Sequence, residues 1–503
     1  MRVLKAEEHR QLDQATLSRD NIDSLQLMER AATAWATAFA RHFPDKQREI
    51  TVLAGPGNNG GDGLVIARLL RFETYTVTVI TAEIAAPSPD NLANRRRAKD
   101  VGVHLRALRE GDALPSFKEN SIVIDALFGT GLSRPIEGYW ATLIERLNRQ
   151  SVTRVAVDLP SGLLSDIPSN GTIVKADLTL SLGYPKLALY SPANTHYLGH
   201  WQLVPFSLAP PPHSDEGKEF QLTESEVASL LKVRRANDHK GTFGHALLVA
   251  GAYEKMGAAV ICARAVLRAG AGLVTTHIPR VGYEIMQISF PEAMCSVDQH
   301  RYHFTGINDV KRYDVIGVGP GIGKDGSTRK ALFDLIGACD RPMVIDADAL
   351  NLLAETPERL TDLPKNSILT PHPKEFERLF GPQQDDFARW QVQRERAVAL
   401  GLVIVLKTGF TSIATPDGKL YFNTTGNPGM GTGGTGDALT GIITGLLAQG
   451  YTPVDAAQLG VYLHGLAGDI AARELGQESL LAEDLVNHLG KAFLHLHSLN
   501  RKY

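Results

Sequence analysis

The stretch GNPGMGTGGTGDALTGIITGLL, residues 426–447, decides how the second half of the chain is read. Six glycines fall in its first twelve residues, and an apolar helical pattern follows from Ala438. It lacks the GxxxxGK[ST] lysine, so it is not a Walker loop. The amides of Gly433, Gly434, Thr435 and Gly436 can converge on an anion. A helix N-terminus adds partial positive charge, so a phosphate is neutralised without that lysine. Asp437 closes the run. It suits an N-cap. A carboxylate beside an anion cradle is electrostatically awkward without a task, and the task that fits is general base toward a hydroxyl that receives a phosphoryl group.

Outward from this loop, β-rich apolar runs alternate with helical patterns. The runs are HALLVAGA (245–252), GLVTTHIP (272–279), YDVIGVGPG (313–321), PMVIDADAL (342–350), SILTPHPKE (367–375) and LVIVLKTG (402–409). SIATPDGKLYFN (412–423) reads as a hairpin around Pro416, Asp417 and Gly418. Long helices are expected over 438–449 and 454–475. The first half shows the same alternation, with EITVLAG (49–55), YTVTVI (75–80), SIVIDALFG (121–129), RVAVDLPSG (154–162) and ADLTLSLG (176–183). Helical patterns lie at 63–72 and 137–149. Near-continuous apolar strands alternating with helices predict α/β domains, each a mainly parallel sheet sandwiched by helices.

A chain of 503 residues calls for more than one core. LAPPPHSDEGKEFQ (208–221) is rich in proline and charge and reads as a linker, which places the domains at 1–215 and 216–503. With 43% hydrophobic and 21% charged residues and a net charge of −3, nothing favours nucleic acid or a membrane as partner. Cys262, Cys295 and Cys339 have no CxxC spacing, which fits a reducing compartment. The N-terminus shows no apolar leader and the apolar runs are too broken to span a bilayer, so a cytoplasmic protein is expected.

Six motifs of the second half occur in order: HKGTFGHALLVAGAYEKMGAA (239–259), VIGVGPGIG (315–323), VIDADALN (344–351), LTPHPKEFERL (369–379), VLKTGFT (405–411) and the glycine loop. Together they resemble the ribokinase-like ADP- or ATP-dependent NAD(P)H-hydrate dehydratases, from about residue 225 to the C-terminus. The resemblance implies that Asp437 is the catalytic carboxylate. Gly433, Gly434, Thr435 and Gly436 would hold phosphate, and Lys407, Thr408, Gly409, Phe410 and Thr411 would meet the nucleotide. Ala258, Gly321, His372 and Asp437 would contact the hydrated substrate, with Mg2+ and ADP or ATP taking part. Read from the residues alone, His372 is equally a turn histidine fixed between Pro371 and Pro373, and Ala258 and Gly321 are small packing residues.

In the first half, AGPGNNGGDG (54–63) follows a strand and opens a helix, but Asn58, Asn59 and Asp62 spoil a dinucleotide fingerprint. It is also an ordinary βα turn. Three further strand ends, DALFGTGLSRP (125–135), DLPSG (158–162) and LGYPKLALY (182–190), should face the same crevice. Asn59, Asp125, Asp158 and Ser161 then converge. Oxygen donors with few formal charges suit a monovalent or weakly held cation better than zinc. GTGLSRP offers Ser133 and the Arg134 cation to a phosphate. As structural alternatives, Asp158 is a turn-capping residue and Asp125 a strand-end carboxylate.

These segments resemble the NAD(P)H-hydrate epimerase domain over roughly residues 1–210. The resemblance implies potassium on Asn59, Asp125 and Ser161. Asn58, Asn59, Gly60, Gly61 and Asp62, with Gly129, Thr130, Gly131, Leu132, Ser133, Arg134 and Pro135, would contact NADHX or NADPHX. Asp158 would be the acid or base near C6. Homo-oligomers are expected from the family. The rival reading is a ribokinase-like kinase for a vitamin precursor or sugar, with a non-catalytic binding module in front.

Overall fold

The computed structural model describes residues 1–211 and 217–500. The chain forms two compact units that divide between Gly217 and Lys218. The expected boundary at residue 215, in the middle of the proline-rich linker, lies outside the described residues.

The first unit is built on seven strands: β1 (Ile50–Ala54), β2 (Val77–Ala82), β3 (His104–Leu108), β4 (Ile122–Ala126), β5 (Thr153–Val157), β6 (Leu178–Leu182) and β7 (His200–Val204). Their order is β3-β2-β1-β4-β5-β6-β7, and every pair is parallel. The order reverses between β1 and β4, where a doubly wound sheet opens its ligand crevice. The five apolar runs of the sequence became the five central strands. The edge strands β3 and β7 are exposed or part-buried except at their last residue, so HLRAL and HWQLV show no continuous apolar run.

Two N-terminal helices also escaped the sequence reading, Ala6–Asp20 and Ser24–His42. The second buries Trp35 and Phe39 against the sheet, and Trp35 Nε1 donates to the Leu180 carbonyl at 3.2 Å. The helix after β1 runs Asn58–Phe72, so the NNGGDG stretch is its first turn and not a loop before it. A Cβ on Gly60 would fall 1.8 Å from the Gly55 carbonyl oxygen. Glycine is required there because the helix starts directly against the strand end.

The second unit has ten strands: β8 (Glu219–Gln221), β9 (His245–Val249), β10 (Leu273–Ile278), β11 (Met294–Val297), β12 (Val315–Val318), β13 (Met343–Ile345), β14 (Ile368–Leu369), β15 (Val403–Leu406), β16 (Ser412–Ala414) and β17 (Leu420–Phe422). The order is β11-β10-β9-β12-β13-β14-β15-β16-β17-β8. Among the described residues only β15–β16 and β16–β17 are antiparallel, the latter being the expected hairpin. The helix Thr435–Ala448 is buried along its length from Ala438 onward. It packs on the helix Met256–Arg268, and two glycines set the spacing. A Cβ on Gly441 would meet the Cys262 carbonyl oxygen at 2.3 Å, and one on Gly445 the Val266 carbonyl oxygen at 2.5 Å.

Candidate active sites

In the second unit the chemistry collects at the carboxyl ends of β12, β13 and β15. The glycine loop turns into its helix through Gly434, whose φ of 94° is a conformation glycine adopts without strain. Gly434 occupies the cap position, without a side-chain cap, and Asp437 is the third helical residue. The N-cap alternative for Asp437 is therefore replaced by a place in the first turn. Burial pushes its carboxyl up to about 7, the Asp346 and Asp348 charges adding to this and the Lys407 ammonium opposing it.

Lys407 follows β15, and its Nζ donates to Asp346 Oδ1 at 2.7 Å. A Cβ on Gly436 would lie 3.4 Å from that Nζ. The cradle thus has a lysine after all, brought from another strand end. Asp346, almost fully buried, also accepts from Thr440 Oγ1 at 2.7 Å. This fixes the carboxylate between the cradle helix and Lys407. Thr408 Oγ1 donates to the Phe410 carbonyl at 2.8 Å and Thr411 Oγ1 to the Thr408 carbonyl at 3.2 Å, so both hydroxyls close a local turn around Gly409.

Ala258 and Gly321 come together: a Cβ on Gly321 would meet the Ala258 Cβ at 3.2 Å, and its φ is 66°. His372 caps the helix Pro373–Phe380. Its Nδ1 accepts from Lys374 N at 3.1 Å and Glu375 N at 3.4 Å. Its capping role is the turn-histidine alternative of the sequence. The ring still keeps a half-exposed edge, and burial with the Lys407 charge lowers its basicity. His464 was missed. It is part-buried, desolvation lowers it to about 4, and its Nε2 lies 2.9 Å from the Thr435 carbonyl. As a neutral ring it donates there and steadies the first turn of the cradle helix. A cavity of about 760 Å³ lies at the far end of the same helix, beside Gln449 and Tyr451, away from Asp437.

In the first unit a cavity of about 770 Å³ opens at the carboxyl ends of β1, β4, β5 and β6. Asn58, Asn59, Asp62, Gly129, Thr130, Gly131, Leu132 and Asp158 line it. Gly60 and Gly61 pack behind, against Gly55 and Met28. Ser133 and Arg134 lie exposed farther along the loop, and Pro135 packs beside Gly171; none of the three is in the lining.

Asp158 has a φ of 70°, a strained conformation for a residue with a side chain. Its Oδ1 accepts from Lys186 Nζ at 2.5 Å and from Leu182 N at 3.0 Å. Burial drives this carboxyl up, but the adjacent Lys186 ammonium outweighs it and holds the group below the usual carboxylate range. It is a turn residue, yet its carboxylate bonds a buried lysine and a neighbouring strand end, not its own turn. Lys186, 1% exposed, was not singled out although it stands in LGYPKLALY. His9 and Asp13 also line the cavity. They lie four apart on the helix Ala6–Asp20 and so share a face.

Asp125 is fully buried. Its Oδ1 accepts from Ser161 Oγ at 2.6 Å and its Oδ2 from Ser161 N at 2.7 Å. Asn59 Nδ2 donates to the Phe128 carbonyl at 2.9 Å, and Ser161 Oγ accepts from Phe128 N at 2.9 Å. The three residues assigned to a cation therefore gather around Phe128. Burial raises the Asp125 carboxyl to about 6.

Fold and sites define a class: two fused α/β enzymes, one Rossmann-like with an ion-paired carboxylate in a polar cavity, one ribokinase-like with an acid behind a glycine cradle. A family model for NAD(P)H-hydrate dehydratase matches residues 246–491, and one for the YjeF-related protein N-terminus matches residues 24–188. The bifunctional NAD(P)H-hydrate repair enzyme Nnr of Moorella thermoacetica is 37% identical over 97% of this chain and 96% of its own. That of Escherichia coli is 33% identical over 92% and 88%. A ribokinase-like superfamily protein of Enterococcus faecalis, of known structure, superposes with a TM-score of 0.50 at 29% identity, covering 57% of this chain and 99% of that one. The chain belongs to the family of bifunctional NAD(P)H-hydrate repair enzymes.

Proposed function

We propose that the first unit interconverts the R and S forms of NADHX and NADPHX on Asp158, and that the second dehydrates the S form on Asp437 at the expense of ADP or ATP. The observation that carries the second assignment is the placement of Asp437, a carboxyl raised to about 7, in the first turn behind the glycine cradle. A group that titrates near the working pH is an efficient general base.

The hydrated nicotinamide carries a hydroxyl at C6, and hydroxide is a poor leaving group. Asp437 takes the hydroxyl proton as the oxygen attacks the terminal phosphoryl group. The amides of Gly433 to Gly436 and Lys407 hold the nucleotide phosphates. The N1 lone pair then expels phosphate from C6, and loss of the C5 proton restores the ring double bond. Among the described residues no three His, Cys, Asp or Glu side chains form a metal cage. Mg2+ binds through one or two carboxylates and the nucleotide phosphates. Asp346 and Asp348 are the carboxylates in place, and the ion would neutralise phosphate charge.

In the epimerase, N1 can expel the C6 hydroxyl as water once it is protonated, and water can return on the other ring face. Asp158, kept ionised by Lys186, accepts the proton of the returning water. Asp62, pushed well above its ordinary value by burial and the nearby carboxylates, is the proton donor for the leaving hydroxyl. Asn59, Asp125 and Ser161, with the Phe128 carbonyl, offer oxygens and a single formal charge, a donor set that fits potassium. The ion would anchor the 127–132 loop. A homo-oligomer in the cytoplasm belongs to the same proposal. Among the described residues no helix is long and apolar enough to cross a membrane.

The test is recovery of reduced-nicotinamide absorbance from NADHX with Mg2+ and ATP or ADP. Recovery with release of free phosphate supports dehydration; a stable phosphorylated product would restore the kinase reading, which the family match does not support.

A further inference from the structure

His9 lines the Asp158 cavity, and its Nε2 is buried without a hydrogen-bond partner. Native proteins leave few buried polar atoms unpaired, and each exception calls for an explanation. Lys186 and Asp158 line the same cavity, and their charges act on the ring. Burial lowers its basicity to about 3, with the Lys186 ammonium acting in the same direction. The imidazole is therefore neutral at any working pH and is not held as the cation of an ion pair with Asp158. A neutral ring carries one N–H donor and one acceptor nitrogen, and here Nε2 has no partner within the protein while the residue lines the cavity. Asp13, one turn along the same helix, is exposed and also lines the cavity; desolvation of its carboxyl raises it to about 6. The N-terminal helix is thus a wall of the reaction chamber, although the family model for this unit matches only from residue 24.

We propose that His9 is a catalytic residue of the epimerase, its Nε2 hydrogen-bonding, on one face of the nicotinamide ring, the oxygen that is bound to C6 in one of the two epimers. The inference rests on the epimerase reading of this unit. In that reading each event transfers water: the C6–O bond breaks as the leaving oxygen gains a proton from Asp62, and re-forms as water loses a proton to Asp158. Inversion needs the water that adds to stand on the ring face opposite the one that lost its oxygen, held there by a partner that does not take its proton. A neutral imidazole does this, and loses nothing from its own structure because Nε2 has no other bond to break.

The experiment compares full-length wild type, His9→Leu and His9→Gln in epimerisation of purified R-NADHX, with dehydration of S-NADHX by the same preparations as the control for folding. His9→Leu removes the hydrogen-bonding atom and should lower epimerase kcat by about 100-fold, the usual scale for a positioned proton-handling group. His9→Gln keeps a polar atom at similar reach and should recover most of that loss. Dehydration should be unchanged in both. Epimerisation by His9→Leu within about 2-fold of wild type overturns the inference, as does an equal loss in His9→Leu and His9→Gln. A wild type that dehydrates but never epimerises overturns the epimerase reading instead.

Discussion

Asp437 shows how the site sets itself against stability. An aspartate titrates near 3.8 when free, and this one is raised to about 7 by burial. Between those values the folded chain holds a proton that the unfolded chain has lost, so stability falls as pH rises and the full cost stands above about 7. Asp437→Asn removes the charge at constant shape. It should raise the stability of the second unit at pH 8, on the order of 1–4 kcal/mol, and the gain should vanish toward pH 4. Chemical unfolding at the two pH values checks this. The same variant should lose at least about 100-fold in dehydration kcat while binding ADP and ATP normally, which single-turnover and titration measurements separate. Near-normal turnover in Asp437→Asn would remove Asp437 from the mechanism. Lys186 makes the opposite bargain. It holds Asp158 low, and Lys186→Met removes the largest influence that opposes burial, so the carboxyl rises. The acid limb of the epimerase pH profile should move to higher pH, with more activity lost at pH 6 than at pH 8. An unmoved profile would mean that Lys186 does not set the charge of Asp158.

At the scale of elements, the cradle depends on how closely the helix Thr435–Ala448 lies on Met256–Arg268. Gly441 sets that spacing, since its Cβ position lies 2.3 Å from the Cys262 carbonyl oxygen. Backbone cannot yield as a flexible side chain can, so Gly441→Ala must push the helices apart. It should cost about 1–3 kcal/mol in the second unit and weaken nucleotide binding, because Gly433 to Gly436 move with the helix start. Differential unfolding with and without ATP measures both; a stable variant with unchanged affinity would show that the helix pair is slack. The same scale explains what could be read in advance. Buried parallel strands such as VIVL and ITVLA have continuous apolar runs and were legible. The edge strands β3 and β7 were not, because solvent on their outer faces makes them polar. The helix Ala6–Asp20 has only Leu12 and Thr16 buried, so its sequence carries no apolar stripe, and His9 and Asp13 went unread with it. Lys186 and Asp346 lay inside motifs already noticed. Their roles depend on partners 28 and 61 residues away, which spacing along the chain does not reveal.

At the scale of the molecule, each unit has its own sheet and its own buried clusters, and the two sites share no residue. The reactions are therefore separable by single changes in the full-length chain. With a mixed sample of R- and S-NADHX, Mg2+ and the preferred nucleotide, wild type should restore the absorbance of both epimers faster than they interconvert spontaneously. Asp158→Asn should stop at the fraction present as S at the start, because the dehydratase consumes one epimer and nothing replenishes it. Asp437→Asn should restore none, yet should still bring purified R to the equilibrium mixture. Mixing the two variants should recover complete repair, since each keeps one intact unit and NADHX diffuses freely between them. Failure of the mixture, with each variant active in its own half-reaction, would mean that the intermediate must pass within one chain and is not released.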